Sequence, residues 1–418
     1  MDFTLTGIAP CDFLLPATNP APWACVACDQ YTSQPEYWQE ADAFVGDAPS
    51  TLRLMLPECY LSELETRMPP IRKAMTDYVA QGILTTQVHD GFVLVERTTH
   101  AGKRLGLVCA VDLEQYDFSI DSLPPIRPTE ETVVARLPAR EKIRAGATVE
   151  LGHIMMLMDD PLRTVIEPLY AKRDELHCLY DFDLMLSGGH LRGWRVDSDE
   201  DKAAVLAALL AIREKQGDHP LMFAVGDGNH SLAAAKRCWE NIKAGLAENE
   251  QRSHPARYAM AEVVNIHDEA LTFEPIHRVV TGTSLEDIMA DWLRWCEERG
   301  MVLADEGEGH HVTVVQNILR KDITVKNPNG ALDAQTLQLF LDDYLARHSE
   351  AAIDYIHGED AVLALTGRPD AVGFLLPALD KSRFFDTLAD IGVMPRKTFS
   401  LGEANEKRYY MECRAITR

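Results

Sequence analysis

Residues 223–239 read FAVGDGNHSLAAAKRCW, and this stretch decides the expected fold. The apolar run at 221–225 has the length and character of a buried strand. Gly226, Asp227, Gly228, Asn229, His230 and Ser231 follow as a polar turn whose two glycines relax the backbone. Three successive alanines and the pair Lys236-Arg237 then carry a helix to Trp239. Strand, glycine turn and helix start together present backbone N–H groups to an anion. Asp227 and His230 add a metal ligand or a proton-transfer partner in the same turn.

Working outward, residues 91–118 alternate as a β-hairpin about a turn at His100-Ala101-Gly102. Residues 154–158 (IMMLM) read as a strand stopped by Asp159-Asp160, with a helix at 162–172. Strands at 176–186 and 193–196 flank Gly188-Gly189, and a helix at 200–216 leads back to the central turn. Beyond it, 259–265 and 273–280 are strands. Toward the N-terminus, 11–16, 23–30 and 51–56 read as strands and 61–80 as an amphipathic helix. Residues 281–370 form a separate segment, with helices at 285–298 and 334–347 and strands at 311–316 and 322–326. The tail carries a strand at 372–376, a helix near 382–389 and a basic stretch at 394–398. Short strands mixed with helices, some in hairpins, give an α+β fold with a mixed-sheet core rather than a regular doubly wound one. The expected domains are an N-terminal α+β region at 1–120, a core carrying the site at 121–280, and a smaller C-terminal α+β segment with the tail at 281–418.

Composition narrows the function. Of 418 residues, 46% are apolar and 25% charged, ordinary for a globular chain. No apolar run reaches the length of a membrane span, and the first residues lack a signal-peptide pattern, so a cytoplasmic protein without a membrane partner is expected. A formal net charge of −24 opposes broad nucleic-acid binding while permitting a small cationic pocket. Nine scattered cysteines read as free thiols, and Cys25-x-x-Cys28 has no second Cys pair or Cys/His partner at zinc-site spacing. The phosphate-binding motif G-x-x-x-x-G-K-[ST], the dinucleotide motif G-x-G-x-x-G and the hydrolase motif G-x-S-x-G are all missing.

Several groups then compete between chemistry and structure. Asp227 either binds Mg²⁺ or orients an acceptor hydroxyl, or it simply caps the helix. His230 either meets a phosphate or moves a proton, or it packs on a strand. Glu130 and Glu131 follow Arg127-Pro128-Thr129. They offer a general base for an alcohol, or acids in a helix's first turn capped by Thr129. Arg136, Arg140, Lys142 and Arg144 form a basic island that is either a phosphate clamp or a helix face paired with acids. Glu150 and His153 after it add further polar groups. His277-Arg278 suits anion contact or a strand end, and Arg396-Lys397 either closes a site from the tail or lies on a surface loop.

The chain resembles the bacterial and archaeal family catalogued as "domain of unknown function 1015". That family's hallmark is an A-D-G-H-H-R-Y-like turn, which stands here as Gly226-Asp227-Gly228-Asn229-His230-Ser231-Leu232, like a G-D-G-N-H-S-L branch. Further matching stretches are 127–132 (RPTEET), 143–147 (IRAGA), 275–280 (PIHRVV) and 394–397 (MPRK). The D-G-x-H turn in turn looks like that of the ParB/sulfiredoxin superfamily, which includes free-serine kinases, CTP-binding partition proteins and sulfiredoxins. The resemblance implies a nucleotide, ATP or ADP with Mg²⁺, held by Gly226, Asp227, Gly228, Asn229, His230 and Ser231. It implies Glu130 as the base on a metabolite hydroxyl, with L-serine as one acceptor. Where the family has arginine this chain has Ser231, so the cationic phosphate contact has to come from elsewhere; Arg144 and Arg278, the latter beside His277, are the nominees. Three functions follow: a small-molecule kinase, a non-catalytic nucleotide-binding regulator, and a ligand-binding protein that keeps the turn for structure. No cysteine stands in the turn, which sets sulfiredoxin chemistry aside. The oligomeric state is not written in the sequence.

Overall fold

A computed structural model describes residues 1–17, 19–119 and 122–417. The fold is α+β. The chain divides into two compact units, Met1–Thr272 with Gly402–Arg418, and Phe273–Leu401. The expected boundary at 120/121 lies outside the described residues. The one at 280/281 falls inside the strand Phe273–Thr281, whose later residues, from Ile276 on, pair with Ala352–His357 and, from Arg278 on, with Ala371–Leu375.

The first unit is built on a mixed sheet of twelve strands among the described residues. Its main path runs from Ile126–Pro128 through Phe223–Asp227, Ile154–Met158, Tyr258–Asn265, Gly102–Asp112, Leu84–Thr99, Cys11–Pro16 and Cys413–Ala415 to Val149–Leu151. Phe223–Asp227 pairs parallel with Ile126–Pro128 and antiparallel with Ile154–Met158. The hairpin strands read as nearly unbroken apolar runs because both faces of the sheet are covered. Phe92 and Leu94 enter one core with Val205, Leu209, Leu232 and Trp239 of two helices. Val93 and Val95 enter the other with Trp23, Trp38, Met75 and Tyr410. One helix, Asp199–Glu214, is capped by Ser198, whose hydroxyl accepts the Asp201 N–H at 3.1 Å. In the other, Asn229–Lys243, the small side chains of Ala233 and Ala234 let Leu137 of the helix Leu137–Arg144 pack directly against it.

Two expected elements take other forms. Residues 51–56, read as a strand, begin with a 3₁₀ turn, Thr51–Arg53. Ser50 accepts the Leu52 N–H at 3.2 Å and Thr51 donates its hydroxyl to the Trp23 carbonyl at 2.8 Å, so side chains close a turn where a ladder would have run. The helix expected at 162–172 shortens to Glu167–Ala171, because the Asp160 carboxylate takes the N–H groups of Thr164 and Val165 and holds them in a turn.

The second unit is a seven-stranded sheet with the helices Leu285–Glu297 and Asp333–Arg347. Trp292 and Phe340 stack in its core with ring centroids 5.5 Å apart.

The last residues of the chain belong to the first unit. Cys413–Ala415 is inserted between Cys11–Pro16 and Val149–Leu151, while Tyr409–Tyr410 pairs with Cys25–Val26. Trp23 donates its indole N–H to the Met411 carbonyl at 2.9 Å. Arg408 is buried, donating to the Gly152 carbonyl at 2.6 Å, to Glu412 at 2.6 Å and to Glu262. Burial opposes its charge, yet Glu412 and Glu262 hold the guanidinium pKa above its ordinary value. Replacing Arg408 by Met strands two buried carboxylates, and we expect a loss of about 3–5 kcal/mol in the first unit's stability, read by urea denaturation. A loss near zero would show that the two acids do not depend on the arginine.

Candidate functional site

At the end of the central strand the register shifts between Val225 and Asp227, leaving Gly226 as an extra residue. The bulge re-aims the Asp227 side chain as the strand stops. Gly228 has φ +80°, and a Cβ there would meet the Ile154 Cα at 3.1 Å. Only glycine satisfies both conditions. Gly228 is the N-cap of the helix Asn229–Lys243 and supplies no side-chain cap. The first-turn N–H groups and the positive end of the helix dipole are therefore not consumed by a capping side chain. Asp227 accepts the Gly228 N–H at 2.8 Å.

Two flanks meet at this turn. On one, Asn229 accepts the Thr129 N–H at 3.2 Å and donates to the Val225 carbonyl, to which Thr129 also donates its hydroxyl at 2.7 Å. His230 Nε2 accepts the Val133 N–H at 3.2 Å. The loop between those anchors carries the half-buried Glu130. Glu130 and the turn are thus brought together, and Thr129 is a bolt between strand and loop rather than a helix cap.

On the other flank, Ser231 Oγ lies 3.1 Å from His153 Nε2, and the Tyr410 hydroxyl lies 2.8 Å from His153 Nδ1. Asp29 approaches the same imidazole, Oδ2 to Nε2 3.9 Å. Burial opposes ionisation of Asp29, but His153, the Gln30 amide and Lys407 together hold its carboxyl below the ordinary aspartate range. Between the flanks the Lys407 ammonium sits 3.2 Å from Asp227 Oδ2, with its side chain only 8% exposed. A cavity of about 130 Å³ adjoins Ser231 and His153, with Met55, Met75 and Ile143 among its apolar walls.

The nominated cations are placed as follows. Arg144 borders that cavity but pairs with Glu150, which also accepts from Arg414 at 2.7 Å. Arg140 pairs with Glu58, and Lys142 with Glu65 at 3.1 Å, so most of the basic island is neutralised by acids. Arg136 is exposed, and its carbonyl accepts from Arg140 at 3.0 Å. His277 and Arg278 belong to the second unit. There His277 Nδ1 accepts the Leu376 N–H at 3.1 Å. Arg278 donates to Gln338 at 3.3 Å and to the Ile276 carbonyl, over the Tyr355 ring at 5.2 Å. Burial lowers the Arg278 guanidinium to about 10.

The sequence reading missed Lys407, Asp29 and Tyr410. The available signal was the dense run Lys407-Arg408-Tyr409-Tyr410-Met411-Glu412 near the C-terminus, charges and aromatics mixed as at a buried polar site.

A resident Mg²⁺ does not fit Asp227. One oxygen takes the Gly228 N–H, the other faces an ammonium, and among the described residues no three His, Cys, Asp or Glu side chains form a group suited to a metal ion. Magnesium wants several oxygen ligands in octahedral order.

A mixed-sheet α+β protein with a strand, glycine turn and helix start near one sheet edge is the class these features define. The chain belongs to the family described as "Protein of unknown function (DUF1015)", whose profile matches residues 8–342. No curated protein matches it. Among solved structures, a conserved hypothetical protein from Pyrococcus furiosus is similar at 10% identity and TM-score 0.36, over 75% of this chain and 95% of that one. A free serine kinase in complex with AMP is similar at 11% identity and TM-score 0.38, over 75% and 91%. SbnI from Staphylococcus aureus, truncated at its C-terminus, is similar at 10% identity and TM-score 0.36, over 71% and 82%. Among the described residues no helix is long and apolar enough to cross a membrane.

Asp29 gives a pH test. Its folded pKa is lower than its unfolded one, so its stabilisation is present above about pH 4 and is lost as pH falls through the folded value. The stability gap between the native chain and Asp29→Asn, read by urea midpoints, should narrow from about pH 6 to about pH 3. A constant gap would remove Asp29 from the charge cluster.

Proposed function

We propose that the 226–231 turn binds the phosphates of a nucleotide, ATP or ADP, and that the protein transfers a phosphoryl group to the hydroxyl of a small metabolite. The observation that carries this is the convergence on one uncapped helix start of a nearly buried ammonium, Lys407, and the loop holding Glu130. Lys407 supplies the cationic contact that Ser231 does not. Phosphoryl transfer asks mainly for positioning and electrostatic stabilisation, and a helix N-terminus with a desolvated cation offers both. Glu130 takes the acceptor's proton. His230, whose Nε2 is held by the Val133 N–H, fixes the loop that carries Glu130. Mg²⁺ arrives as part of the nucleotide complex, and no step is assigned to it. L-serine is one acceptor of suitable size.

A second reading, a nucleotide-binding regulator without turnover, is favoured by the poor fit of a resident divalent ion at Asp227. Two variants separate the readings. Lys407→Ala should abolish the thermal shift given by ATP with Mg²⁺. Glu130→Gln should keep that shift and slow phosphomonoester formation from a metabolite pool by about 10²–10⁴-fold. Binding without any phosphomonoester in the native chain would select the regulator. Full turnover in Glu130→Gln would remove Glu130 from the chemistry.

A further inference from the structure

We infer that Ser231 is itself a phosphoryl acceptor, so that the protein forms a phosphoserine on the first turn of the helix Asn229–Lys243; this rests on the nucleotide reading above. Ser231 Oγ lies 3.1 Å from the Nε2 of a buried histidine, His153. The Tyr410 oxygen accepts the Cys28 N–H at 3.2 Å and lies 2.8 Å from His153 Nδ1. We assign the proton to Nδ1, donating to that oxygen; the Nε2 lone pair then faces the serine hydroxyl. Serine paired to a histidine oriented by a third group is the arrangement of an activated nucleophile. Asp29, 3.9 Å from Nε2, faces the imidazolium that proton uptake creates.

The step balances with a nucleoside triphosphate as donor. Ser231 Oγ forms a bond to the γ-phosphorus as the bond from that phosphorus to the bridging oxygen breaks. The hydroxyl proton passes to His153 Nε2, and the nucleoside diphosphate leaves with the bridging oxygen's electron pair. The product phosphate lies in the first turn of a helix, where its charge is favoured by the dipole.

The full-length protein is incubated with ATP and Mg²⁺, and its intact mass and phosphopeptides are read beside its ATP-induced thermal shift. One added phosphoryl group on Ser231 is expected, lost in Ser231→Ala and formed about 10²-fold more slowly in His153→Gln, with the thermal shift retained in His153→Gln. A thermal shift with no phosphoserine, or with the phosphate on another residue, overturns this inference and leaves the nucleotide reading standing. No thermal shift overturns both. An undiminished rate in His153→Gln removes the histidine as base and overturns the mechanism.

Discussion

The arrangement depends on one buried cation. Arg408 lies between Glu262 on the sheet and Glu412 on the tail, with all three side chains at most 3% exposed. A desolvated ion set of this kind contributes little net stability when intact, but it is costly to break and therefore specifies geometry. Here it fixes where the returning chain crosses the sheet. Lys407 precedes it in sequence and falls on Asp227; Tyr410 follows it and falls on His153. The functional groups of the tail are positioned by a structural ion pair that takes no part in the chemistry proposed.

That placement also sets the electrostatics of the turn. Lys407 is nearly buried, so its attraction for an anion is screened less than that of a surface lysine. Asp227 offsets part of the charge and orients the ammonium. A phosphate arriving at the helix start would meet N–H groups of the first turn that no N-cap side chain takes and a cation already held in place. The overall charge of −24 disfavours polyanions at a distance, whereas the field at the turn is set locally by Lys407 and the helix start.

How far the sequence was legible follows from which signals are local. The strand, turn and helix at 223–239 could be read because glycines, alanines and an apolar run each act on their own neighbours. The 91–118 hairpin was legible for the same reason. Residues 51–56 misled because hydroxyl groups at Ser50 and Thr51 outcompeted the ladder, with a partner, Trp23, far away in sequence. The proximity of Glu130 to the turn rests on a parallel strand pair joining residues about a hundred positions apart, which no local pattern announces. Lys407 was the least legible. The chain re-enters the first unit only after Phe273–Leu401, and only three-dimensional closure reveals that a lysine near the end lies against Asp227 of the turn.

Successive residues on a helix point about 100° apart, and this spacing is what lets one turn face two flanks. Asn229 and His230 reach the loop that carries Glu130; Ser231, one position on, reaches His153. The two groups proposed as proton acceptors, Glu130 and His153, would therefore serve different hydroxyls beside the same helix start. A phosphate bound there would have an outside acceptor on one side and a side chain of the protein on the other. On the reading proposed above, occupancy of the Glu130 flank would decide which of them receives the group. Serine at this helix position would thus join the fate of a bound phosphate to the supply of the small acceptor.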